Sequence, residues 1–173
     1  MAVRGGCMAK FTIKGIDDYV AALERVDKNS DETIKEAIYD GAAIVADAIK
    51  AGLQSLPIDE GENGLQRYGT PDNPVNGVSR RQKADLIASM GLAPIQRFKA
   101  DINTKVGWDG YGSIKTKAHP QGVPNVLLMR AVESGTSFMK KNPVVRKSVN
   151  KVHAKAEEAI KNKIDEKIKK EMS

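Results

Sequence analysis

Ser30-Asp31-Glu32-Thr33-Ile34-Lys35-Glu36-Ala37-Ile38-Tyr39-Asp40-Gly41-Ala42-Ala43-Ile44-Val45-Ala46-Asp47-Ala48-Ile49-Lys50-Ala51-Gly52-Leu53 is the stretch on which the fold turns. Ile34, Ile38, Gly41, Ala42, Val45, Ile49 and Leu53 recur at spacings of three and four, the period of one helix face. Asn29 or Ser30 can start this helix, and Glu32 follows Asn29 by three residues, as in a capping box. Gly52 and Pro57 are expected to end it. Gly41, Ala42, Ala43, Ala46 and Ala48 are small. A face of small residues lets another element approach closely, so this helix should be central to the fold.

A second long helix closes the chain. Asn142 is placed to cap it and Pro143 to occupy its first turn. Val145, Val149, Val152, Ala156, Ile160, Ile164 and Ile168 form one narrow stripe. About 28 helical residues would span roughly 42 Å, longer than the body should need. Val144 widens the stripe in the near half, which is expected to dock on its own subunit. In the far half Ile160, Ile164 and Ile168 stand singly, and they are expected to serve a neighbouring subunit. Lys161, Lys163, Lys167, Lys169 and Lys170 form a basic face around them.

Between and before these helices the pattern changes. Residues 1–9 read as a flexible terminus. Lys10 to Lys14 alternates like a short strand, and Asp17 or Asp18 can cap a helix running to about Asp27. Residues 57–79 hold Pro57, Gly61, Gly64, Gly69, Pro71, Pro74 and Gly77, with Asp59, Glu60 and Glu62. So long a loop is expected to be mobile until it orders against a neighbour. Ser79 to Met90 reads as a short helix capped by Ser79. Leu92 to Phe98 and Ile102 to Trp108 read as two strands of a hairpin. A second loop runs through residues 109–124. Val126 to Val132 is a compact apolar run, expected to be the most buried strand. The turn Glu133-Ser134-Gly135-Thr136 leaves it, with positive φ expected at Gly135 and a side-chain hydrogen bond at Thr136. The reading is one α+β domain over residues 1–173. It has an antiparallel sheet of about four strands packed against helices, and a basic C-terminal helix over 143–172.

Composition narrows the chemistry. The chain of 173 residues is 40% hydrophobic and 29% charged, the balance of a globular domain. No apolar run approaches the ~18 residues that span a membrane. A single cysteine, Cys7, excludes an intrachain disulfide and a CxxC knuckle. Neither His119 nor His153 has companions at metal-ligand spacing. Gly107-Trp108-Asp109-Gly110-Tyr111-Gly112 lacks the pattern of a phosphate-cradling loop. No catalytic, cofactor or metal residues are assigned. Residues 1–139 carry 17 basic and 17 acidic side chains and residues 140–173 carry 11 and 5, so the whole excess of +6 lies in the last 34 residues. Such a tail can contact nucleic acid without sequence preference. It lacks the aromatics a single-strand binder would use.

Five motifs occur in an order that resembles the tail-completion and head–tail joining proteins of long-tailed bacteriophages, over roughly residues 10–160. They are Phe11-Thr12-Ile13-Lys14-Gly15-Ile16-Asp17-Asp18; the Ala-rich helix with Gly41-Ala42; Gly77 to Ser89; Val106-Gly107-Trp108; and Glu133-Ser134-Gly135-Thr136 followed by Asn142-Pro143. The loops at 57–79 and 109–124 and the extension past Ile160 are longer than a minimal member would need. The resemblance implies a non-enzymatic virion protein at the head-proximal end of the tail. It would act as a homo-oligomer, commonly a hexameric ring, that terminates the tail tube and joins it to neck, connector or sheath proteins. A relative could serve a tail-derived bacteriocin. The alternative is a basic nucleic-acid-binding protein acting through the C-terminal helix.

Overall fold

The structure, a computed structural model, describes Ala9, Lys10, Val20, residues 30–98 and residues 101–171. The expected N-terminal helix, most of the first strand, Cys7 and the motif Phe11 to Asp18 lie outside the described residues. Along the chain run β1 (Ala9–Lys10), α1 (Ser30–Gln54), α2 (Arg80–Ala88), β2 (Met90–Leu92), β3 (Gln96–Phe98), β4 (Asp101–Asn103), β5 (Lys105–Trp108), α3 (Asn125–Ser134) and α4 (Val144–Glu171).

Helix α1 is central, as its small-residue face implies. Ile34, Ala37, Ala42, Val45, Ile49 and Leu53 are all buried. It runs on past Gly52 to Gln54. Helix α4 lies antiparallel along it. An ideal Cβ built on Gly41 would stand 2.4 Å from Ile160 Cδ1, while one on Gly52 would stand 2.6 Å from Ser148 Oγ. The two helices therefore touch backbone to side chain, which only residues without a side chain allow.

Two apolar clusters follow this seam. The larger joins Val45, Ile49 and Leu53 of α1 to Leu86, Val106, Trp108, Leu128, Met129, Val132 and Ala156. The smaller joins Ile34, Ala37 and Ile38 to Ile160 and Ile164, with Ile95, Ile102 and Ile168 packed against it. This corrects the assignment of Ile160, Ile164 and Ile168 to a neighbouring subunit. Ile160 and Ile164 are fully buried within their own chain. A stripe of single isoleucines suffices because α1 presents alanine and glycine opposite it.

The strands are fewer per sheet than the sequence suggests. One antiparallel sheet has the order β1-β5-β2, and β3-β4 form a separate pair. The expected hairpin exists: Met90 pairs with Trp108 and Gln96 with Asn103. It is interrupted midway, where Ala93 N–H donates to the Lys105 carbonyl and the buried Thr104 hydroxyl donates to the Ala93 carbonyl. That hydroxyl substitutes for a ladder bond, and the two halves separate there. Helix α2 starts as expected. Ser79 accepts from the Gln82 amide and the Gln82 side chain accepts from Ser79, a complete capping box.

The expected buried strand at 126–132 is instead part of α3. Leu128, Met129 and Val132 are buried and Leu127 is half exposed, a helical period. A seven-residue run with six apolar residues fits either state, but Leu, Met, Arg and Ala favour helix, and the flanking Pro124 sits at its N-cap.

The loop at 57–79 is hydrogen-bonded to its own chain. Asp59 N–H donates to the Val78 carbonyl, Val75 N–H to Phe138 and Lys140 N–H to Val75. Asp59 accepts from the Asn76 amide and from Arg67. The Asn76 hydrogen bond, more than Arg67, holds the Asp59 carboxyl below its usual value. With the folded-state pKa depressed, this tether contributes fully above the ordinary carboxylate range. It is lost as the pH falls through the depressed value. The Asn76 amide resonance should therefore titrate with a midpoint below about 3.9, the unperturbed Asp value; a midpoint above it would contradict the tether.

Candidate interaction surface

Glu133, Gly135 and Thr136 form the joint between α3 and α4. Gly135 has φ 76° and ψ 167°, a region essentially restricted to glycine. The Thr136 hydroxyl accepts from the Phe138 amide. Both features match the sequence reading. The role of Glu133 was not legible: its carboxylate accepts from the Val145 and Arg146 amides at 2.8 and 3.0 Å. A carboxylate there satisfies two of the free amides at the start of α4 and meets the positive end of its dipole. Asn142, expected to be the cap, instead donates to the Lys140 carbonyl. Gly135→Val should cost about 1–3 kcal/mol, because a Cβ there would also stand 3.1 Å from Lys141 N. A thermal melt unchanged from wild type would contradict this account of the joint.

The basic face divides in two. Lys163 reaches Asp40 at 3.2 Å and Lys167 reaches Glu36 at 3.3 Å, both across the seam on α1. The hydrogen bond to Asp40 raises the Lys163 pKa. These two lysines are therefore partly neutralised by α1. Lys161, Lys169 and Lys170 are exposed.

The other half of α4 carries a basic column that sequence reading overlooked. Lys147, Lys151 and Lys155 recur every four residues, are exposed, and make no ion pair among the described residues. They border a groove along the α1–α4 seam. Its two lobes, of about 330 and 500 Å³, share Gly52, Ser55, Ser148 and Lys151. Ala48 and Ala51 of α1 and Val144 and Val152 of α4 give it apolar walls. The four-residue spacing of these lysines was visible in the sequence. Glu36 and Asp40 sit at the other end of α1, and Asp47, which lines the groove with Lys151 and Lys155, makes no ion pair with them among the described residues.

Beside the groove, the loop at 57–79 and the connection at 135–143 meet. Gly69 packs against the Phe138 carbonyl. Leu65, Tyr68 and Phe138 are exposed there by 68, 67 and 54%. Among the described residues no group of His, Cys, Asp and Glu is placed to hold a metal ion, and no helix is long and apolar enough to cross a membrane.

Compared with protein-family models, curated proteins and solved structures, the chain finds no match.

Proposed function

We propose that this chain is a structural, non-enzymatic protein of a long-tailed phage or of a tail-derived particle. In this reading it sits at the head-proximal end of the tail, as a homo-oligomeric and commonly hexameric ring. It ends growth of the tube and joins it to the neck, connector or sheath. It would be found in the particle, and in the host cytoplasm during assembly.

The observation that carries the reading is the ordered set of motifs, supported by where four of them lie. Val45 and Ile49 from the Ala-rich helix, Leu86 from Gly77–Ser89, and Val106 and Trp108 belong to one core. The Trp108 indole N–H donates to the Leu86 carbonyl at 2.9 Å. Glu133, from the fifth motif, caps α4. Residues far apart in sequence thus form the framework of one body, as shared family signatures should. The test is whether the chain binds one end of tail tubes and stops their extension.

The unpaired column Lys147, Lys151 and Lys155 favours a second reading, non-specific contact with duplex DNA. That reading predicts affinity falling steeply with salt. Duplex binding that survives 200 mM salt unchanged, or no binding at 50 mM, would remove it.

A further inference from the structure

We propose that the exposed apolar knob around Tyr68 of one copy docks in the α1–α4 groove of a second copy. The inference rests on the ring reading and supplies its subunit contact. Leu65, Tyr68 and Phe138 are large apolar side chains left mostly exposed on two loops at one end of the molecule. Clustered exposed apolar residues of this kind mark interaction surfaces. The groove offers what such a knob needs, small and apolar walls with open volume between two rigid helices.

Charge selects the occupant. Residues 57–79 around Leu65 and Tyr68 contain four carboxylates and one arginine, a net charge of −3, while Lys140 and Lys141 follow Phe138. Asp59 is engaged within the loop and Glu60 accepts from the Arg80 amide at the start of α2, whereas Glu62 and Asp72 of the same loop are exposed. The groove carries Lys147, Lys151 and Lys155, exposed and without ion pairs among the described residues, against one carboxylate, Asp47. An acidic, aromatic knob and a basic, apolar groove on the same chain complement each other. In a ring the contact runs head to tail, so each bound pair leaves one knob and one groove unused. The contact therefore propagates until it closes.

Two double variants of the full chain test this by light scattering. Leu65→Ser with Tyr68→Ser removes the knob, and Lys147→Glu with Lys151→Glu inverts the rim. All four positions are exposed, and melting curves check that both variants fold. Should the serine pair lower the melting temperature, Glu62→Lys with Asp72→Lys replaces it. Wild type is expected to grow past two copies with concentration. Each variant alone should associate at least ten-fold more weakly. A mixture of the two should form one-to-one pairs that do not extend, since only one intact knob and one intact groove remain. Variants that assemble like wild type would overturn the proposal. So would a mixture that stays monomeric, or a wild type that stays monomeric or stops at two copies. If tail tubes are still capped by a chain whose contact fails these tests, the tail reading stands and only this interface falls. Intact self-association with bare tubes gives the reverse.

Discussion

Truncation after Ala159 should collapse the fold rather than merely prevent assembly. It removes Ile160 and Ile164, both fully buried, and Ile168, packed beside them. It also strips the cover from Ile34, Ala37 and Ile38 on α1. Burying each isoleucine contributes roughly 1.5–3 kcal/mol, so the three together are comparable with the roughly 5–15 kcal/mol that holds a whole domain folded. The pairs Lys163–Asp40 and Lys167–Glu36 disappear as well, but as partly exposed pairs they add little. The truncated chain should lose cooperative melting, or melt roughly 10–30 °C lower. A truncated chain that melts like the full one would show that the far half of α4 is dispensable, and the smaller cluster with it.

The second large effect belongs to Gly41. A Cβ there would lie 2.4 and 2.5 Å from the Ile160 side chain and 3.2 Å from the Ala156 carbonyl oxygen. Ile160 is fully buried and has nowhere to move. Gly41→Val should force α1 and α4 apart and cost about 3 kcal/mol, the upper part of the range for overpacked cores. That corresponds to a melting temperature roughly 6–12 °C lower. Ile160→Ala alone should cost about 2–5 kcal/mol through the cavity it leaves. Combined, the two changes should cost less than their sum, because each relieves the other. Strict additivity would contradict the close approach of the helices at this point.

These two experiments also mark where the sequence was informative. The period of α1 and its run of small residues announced a central helix with a close neighbour. The stripe of α4 announced a helix but not its partner, because Ile160, Ile164 and Ile168 look the same whether they face their own chain or another. Their antiparallel pairing with Ile34 and Ile38 is a tertiary fact. Helix α3 was misread because a run of seven residues, six of them apolar, carries too little period to separate strand from helix. The glycine joint at Gly135 was legible because its conformation is local. The cap supplied by Glu133 was not, since a carboxylate reaching amides twelve and thirteen residues away leaves no local pattern. The groove required knowing which lysines α1 neutralises. Lys163 and Lys167 find carboxylates across the seam, whereas Lys147, Lys151 and Lys155 make no ion pair among the described residues, although Asp47 lines the same groove.

The central claim is that the chain completes a tail. Electron microscopy of tubes polymerised from the tube protein of the same particle, with and without the full chain, tests it most directly. The account predicts ring-shaped density at one end only of each tube, and tubes that no longer extend when more tube protein is added. Bare ends and continued extension would contradict it, as would density scattered along the tube wall.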